Sequence, residues 1–269
     1  MRHKSHRLRV LIAASLAFFI CIPEVVSGHM LVISPERDVV ISPQKRDVWV
    51  RVWFSHPMEK GPSMDFKVEK SGIVSSHGKS PLSWKEYSIP KGAGERGTVS
   101  AYKSQVTIGG PGVYQVFVEQ TPYFEPAEEV FIKQVAKTYI EAFNLEAGWE
   151  TPLGLDAEIV PLTRPFGLWE GSLFCGRAMV KGQPCRNCRV EMEYLNQEDA
   201  ELPIPALATY VTHTDSRGIF QVTLPWRGWW GIAVLGDGGY MKGPKGKEYP
   251  VELDSVIWLK AYPKPEGVR

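Results

Sequence analysis

The sequence lacks the signatures of the common enzyme classes. It has no G-x-S-x-G elbow, no P-loop, no H-E-x-x-H pair and no dinucleotide-binding fingerprint. Histidine is scarce, with six in 269 residues, so a histidine site would have to be built from few members. Cysteine is scarcer still, with four. Charge of either sign is not in excess: 31 Lys and Arg stand against 30 Asp and Glu. That balance argues against nucleic acid, which calls for a clustered basic surface. After the first 28 residues no stretch carries a sustained helical period with caps. There is no internal repeat and no low-complexity tract. No later apolar run approaches the ~20 residues of a membrane-spanning helix.

What is present begins at the N-terminus. Arg2, Lys4, Arg7 and Arg9 precede an apolar run over residues 10–22, which Pro23 ends; Val26, Ser27 and Gly28 then supply residues a signal peptidase tolerates. Residues 1–28 are expected to be a signal peptide, giving a secreted, periplasmic protein with no transmembrane segment in the mature chain. Cys21 ends the run without the small residues that a lipid-attachment site needs. Cleavage after Gly28 removes four of the 31 basic residues and one of the 30 acidic ones, leaving the mature chain near −2. It also leaves three cysteines. An odd number in an oxidising compartment implies one thiol free or paired between chains.

The remaining sequence reads as strands. Residues 47–54 alternate, with Val48, Val50, Val52 and Phe54 facing one way and Trp49, Arg51 and Trp53 the other. Residues 113–119 and 130–139 follow as strands. A Gly- and Pro-rich stretch, 143–167, then interrupts the pattern. A second series covers 168–180, 189–194, 206–214, 218–224, 229–235 and 256–261, with turn chemistry at 181–184 and 215–218. The expected architecture is all-β: two β-sandwich domains in tandem, of immunoglobulin or transthyretin kind. The first spans 29–142 and holds the candidate metal site, 143–167 is a connector, and the second spans 168–269.

Few residues could carry chemistry. His29 would become the mature N-terminus, and its free amine and ring can chelate one metal ion together. The amine's ordinary pKa of ~8 lets a divalent ion displace its proton, and nitrogen donors suit nickel, cobalt and copper. His56 sits at the end of the strand read over 47–54, followed by Pro57, Met58 and Glu59. Loops at strand ends are where sites are built. Glu59 adds a hard carboxylate. Met58 and Met64 read better as core filling. Glu125, Glu128 and Glu129 form an acidic loop that Tyr123 could use to cover a site, although a solvated loop is the plainer reading. Cys185 and Cys188 lack the second C-x-x-C or the nearby histidine of a zinc site. A local disulfide, or a bond from one of them to Cys175, fits better. Trp226, Trp229 and Trp230 could bind sugar, but core packing, with Gly228 and Gly231 easing close approach, fits better.

Several segments occur together in one order: G-H-M at 28–30, F-S-H-P-M-E at 54–59, P-Y-F-E-P-A-E-E at 122–129, A-F-N-L-E-A-G-W at 142–149, and E-I-V-P-L-T-R-P-F-G-L-W at 158–169. With K-G-Q-P at 181–184, T-D-S-R-G-I-F at 214–220 and G-W-W-G at 228–231, they resemble the family of exported proteins catalogued as domain of unknown function 4198. That family includes accessory periplasmic components of nickel and cobalt uptake transporters. The resemblance implies a protein that binds nickel or cobalt ion and delivers it to the membrane component of a transporter, with His29 and His56 as carried-over ligands. Gln134 stands where some relatives have histidine. Cys185 and Cys188 stand where relatives generally have small or apolar residues.

Three functions follow as expectations. The first is a non-enzymatic metal-binding protein for nickel or cobalt uptake, using His29, His56 and Glu59. The second is a copper histidine-brace oxidase or monooxygenase. The third is an exported adhesion, carbohydrate- or protein-binding module without metal, for which His29 and His56 would lie far apart.

Overall fold

The computed structural model describes residues 28–267. The expected signal, apart from Gly28, lies outside the described residues. Those residues form strands throughout, with three short 3-10 turns and no helix long and apolar enough to cross a membrane. The strand read from alternation is Asp47–Ser55. Val48, Val50, Val52 and Phe54 are fully buried, whereas Trp49 and Arg51 face outward. Period-two burial of β-branched residues makes this a strand with one face in the core.

Three sheets stack into layers. In the first, Met30–Pro35 pairs antiparallel with Asp47–Ser55, which pairs with Glu95–Thr107, which pairs with Lys85–Gly92. The second sheet is the long one. It runs from Tyr210–His213 through Arg189–Tyr194, Gly228–Val234, Glu248–Tyr262, Val130–Ala142 and Gly112–Gln120 to Val68–Ser75 and Gly78–Ser80. The third contains Ala157–Pro161, Leu173–Val180, Gln183–Pro184 and Ile219–Thr223.

The two halves of the sequence meet inside the long sheet. Val130–Ala142 and Glu248–Tyr262 pair in parallel, from Phe131 beside Val251 to Thr138 beside Trp258. Alternate residues of these strands enter different cores. Ile132, Ala136, Ile140, Val256 and Trp258 join a cluster with Met30–Ile33 and the valines of Asp47–Ser55. Tyr139, Ile257, Leu259 and Ala261 join a cluster with Phe174, Phe220 and Leu224. Neighbouring strand residues point to opposite faces, so the long sheet is covered on both sides, as parallel pairing favours. Where sequence reading expects two sandwiches in tandem, both cores are built on the same strands. The stretch expected as a connector contributes a strand of its own, Ala157–Pro161, antiparallel to Leu173–Val180. Buried Glu158 binds the buried Lys137 ammonium at 2.7 Å and accepts the backbone N–H groups of Leu153 and Gly154. The connector is thereby tied to the long sheet.

Several strands are missing from the sequence reading. Lys85–Gly92 and the first residues of Glu95–Thr107 are mostly exposed, so they carry little apolar alternation. The stretch read as one strand over 206–214 is a 3-10 turn, Pro205–Leu207, followed by the short strand Tyr210–His213. Pro205 explains the turn, because its missing N–H is spared at the start of a helical turn.

Candidate metal centre

Strand register assembles the site. Met30 lies opposite Ser55 in the antiparallel pair. One residue further out, His29 and His56 face each other, their rings tilted by 43° with centroids 3.8 Å apart. Phe54 lies against the His29 ring at 5.3 Å, and Tyr123 lies beyond Phe54 at 5.9 Å. His56 is buried and His29 half-buried. Nε2 of His29 and Nδ1 of His56 are buried and have no hydrogen-bond partner among the described residues. A buried imidazole nitrogen without a partner costs roughly 1–3 kcal/mol, and such an orphan calls for an explanation.

Both rings are neutral near pH 7. Burial, and then the neighbouring His56, push His29 down to about 3. Burial lowers His56 as well, opposed by the Glu59 charge. A neutral imidazole keeps a lone pair for a metal. Glu59 is exposed and acts on His56 through its charge. It does not complete a ligand set, since no three His, Cys, Asp or Glu side chains converge in metal-binding geometry among the described residues. Strand register thus brings the two imidazoles together; a chelate with the His29 α-amine would use ring Nδ1, not the orphaned Nε2.

Gln134, Trp258 and Asn196, none of them chosen as ligands from the sequence, hold the pair in place. Gln134 Nε2 donates to the His29 carbonyl at 2.7 Å and to Asp254 Oδ2 at 3.0 Å; its Oε1 accepts the Leu31 N–H at 2.6 Å. Trp258 Nε1 donates to the Leu31 carbonyl at 3.0 Å. The start of the first strand is thus pinned to the long sheet by side chains. Asn196 does the same for the loop after His56. Its N–H donates to the Pro57 carbonyl at 3.2 Å and its Nδ2 to the Met58 carbonyl at 3.0 Å. Gly61 N–H closes the loop onto the His56 carbonyl at 3.1 Å. A polar residue at a core-facing strand position is the signal that marks Gln134, because such a group has to be hydrogen-bonded.

The other sequence candidates fall elsewhere. Met58 is buried in the second core and Met64 packs on the first. Glu125 accepts the Ala127 N–H and Glu129 pairs with Lys247. Cys185 and Cys188 form a disulfide and Cys175 is free. Trp229 and Trp230 are buried in different cores, while Trp226 is 45% exposed. Cβ atoms at Gly228 and Gly231 would meet the Tyr194 and Trp258 rings at 2.6 Å, so both glycines do permit close approach. Trp226 and Trp230, with Tyr194, Tyr210 and Met58, line a cavity of about 400 Å³.

A family model described as a domain of unknown function, DUF4198, matches residues 26–238. No curated protein matches the chain. Among solved structures, the D0-D1 domain of Intimin is similar at 10% identity and a TM-score of 0.22, over 87% of this chain and all of that one. The ICAM-5 D1-D4 ectodomain fragment is similar at 15% identity and 0.22, over 89% of this chain and 54% of that one. The major pilin subunit BcpA of Bacillus cereus is similar at 9% and 0.20, over 87% and 71%. Likeness at this level carries no argument about function.

Proposed function

The chain belongs to the DUF4198 family, whose description names no activity, and from its own residues we propose that it is an exported protein that binds a nickel or cobalt ion through His29 and His56 and passes it to a membrane transporter. The observation that carries this reading is the close, neutral pair of imidazoles, each with one unpartnered nitrogen, that joins His56 to the first residue after the expected signal. Residue types and environment fit such an ion: two imidazoles held neutral by burial, plus an amine created by signal cleavage. The ion is cargo. The protein's part is to hold both rings deprotonated, to fix the His29 backbone through Gln134, and to shelter the site with Phe54 and Tyr123. The transporter and the periplasmic location rest on the family resemblance and the signal-like N-terminus.

Copper would take the same nitrogens, and by the general order of affinities more tightly than nickel or cobalt. A copper oxidase must also present its ion to a substrate, and buried His56 suits retention better. Titration of the mature protein with Ni²⁺, Co²⁺ and Cu²⁺ tests the reading. One ion per chain is expected, with affinity falling at least tenfold in His56→Ala. Binding that is absent, or unchanged by that substitution, overturns it. Oxidation of a polysaccharide by the copper-loaded form would favour the enzyme instead.

The aromatic cavity supports a second reading, a binding module without metal. Tyr210 and Trp226, both about half exposed, flank it. Quenching of tryptophan fluorescence by oligosaccharides, abolished in Trp226→Ala, is its test.

A further inference from the structure

The face of the long sheet beneath the start of the first strand carries a cluster of carboxylates and one amide at one end. There Gln134, Asp254 and Glu252 lie on alternate positions of paired strands, Gln134 directly beside Asp254. Glu191, on the strand Arg189–Tyr194, joins them. Asp254 is 1% exposed; its Oδ1 receives no N–H donor among the described residues, and its carboxyl lies within hydrogen-bonding reach of the Glu252 carboxyl. Glu191 is 3% exposed; Arg189 Nε binds its Oε1 at 2.6 Å. Its Oε2 lies against Gly28, so close that a Cβ there would meet it at 2.6 Å. The charges acting on this end are Glu128, Glu191, Glu252 and Asp254 against Arg189. Buried carboxylates with so little positive charge are costly unless a proton or a cation joins them.

We propose that Glu191, Glu252 and Asp254 form a receiving pocket for the α-ammonium that signal cleavage creates at His29, so that processing completes the anchoring of the first strand. Cleavage after Gly28 frees a nitrogen two covalent bonds from the Gly28 Cα, on which a Cβ would lie 2.6 Å from the Glu191 carboxylate. Cleavage replaces a neutral amide with a cation at this position. Gln134 links the two parts of the device, binding the His29 carbonyl with the same Nε2 that binds Asp254. In the metal-free protein the ammonium neutralises the pocket. An incoming metal ion would take the amine only after displacing its proton. This inference shares with the proposed function only the cut after Gly28; it needs no metal.

The test is carried out in chelator at low ionic strength. Mature protein beginning at His29 is compared with the same protein acetylated on its α-amine, and both are repeated in Glu191→Gln. The free amine is expected to raise Tm by at least about 3 °C over the acetylated form, a shift within reach of one partly buried ion pair at this size. In Glu191→Gln the difference should shrink to under half. Acetylation changes no residue, so that comparison stands even if the variant folds poorly, in which case Glu252→Gln supplies the second pair. Equal melting of free and acetylated protein overturns the inference. So does a difference that persists undiminished in the carboxylate variants. Loss of metal binding without loss of this difference would sink the metal reading and leave the pocket intact.

Discussion

The start of the first strand separates two polar regions with opposite needs. On one side, His29 and His56 are buried without positive charge, and burial drives their protons off. On the other, half-buried Glu252 and buried Asp254 have little counter-charge, and burial drives protons on: Glu252 rises to about 6 and Asp254 rises well above its ordinary value. Both regions are short of a cation, but of different kinds. Unpartnered imidazole nitrogens suit a metal ion, while carboxylates suit an ammonium. A polar face left unfinished within a well-packed core thus indicates what is to be added to it, and donor chemistry tells the two additions apart.

Gln134 joins the two regions, so its removal is the strongest way to break the comparison. Gln134→Ala would orphan the His29 carbonyl, the Leu31 N–H and an Asp254 oxygen at once. At roughly 1–3 kcal/mol for each buried orphan, a loss of about 3 kcal/mol or more is expected in urea unfolding, with metal binding lost as well. Retention of metal affinity at wild-type level would show that the histidines hold their geometry without it.

pH sharpens the contrast, because the two regions act with opposite sign. His29 has a folded value of about 3 against an ordinary 6.5, so the unfolded chain binds more protons between them. Its contribution to stability is therefore lost progressively as pH falls from 6.5 toward 3. Glu252 has a folded value of about 6 against 4.5, so the native chain binds the extra proton. Its contribution is full below 4.5 and is lost as pH rises through 6. Between pH 6 and 4.5 the two oppose each other. Glu252→Gln should therefore make stability fall more steeply across that window, by about 1–2 kcal/mol in all. Urea melts at both ends of the window measure it; an unchanged slope would separate Glu252 from this balance.

Smaller changes probe the supports. Asn196→Ala removes the side-chain bond to the Met58 carbonyl, leaving the main-chain bond to Pro57, and should cost about 1–2 kcal/mol, with a weaker grip on metal through His56 and no effect on the carboxylate side. Glu59→Gln should change least. Its carboxylate is exposed, and an exposed charge is worth under about 1 kcal/mol. Metal affinity should shift by less than about fivefold, which would separate Glu59 from the proposed donors His29 and His56.

Sequence reading reached the strand Asp47–Ser55, the all-β class and the histidines because each leaves a local mark: alternation, turn residues, or position after a signal-like segment. It put His29 and His56 at one candidate site but did not reach the strand register that pairs them. Met30, Leu31, Val32 and Ile33 are all buried, so the run carries no alternating phase from which a register could be read. Nor did it reach the shared central sheet, because parallel pairing of Val130–Ala142 with Glu248–Tyr262 joins segments more than a hundred residues apart. Gln134, Asp254 and Glu191 were legible only in part. Each is polar at a core-facing position, a pattern whose meaning depends on what folds over it.

The central claim is that one ion sits between the His29 and His56 rings, and anomalous diffraction from crystals of the mature protein soaked in Co²⁺ tests it most directly. The account predicts a single strong peak within bonding distance of both imidazoles and of the N-terminal amine. A peak elsewhere with these rings still close and bare, or no peak at all, would contradict it.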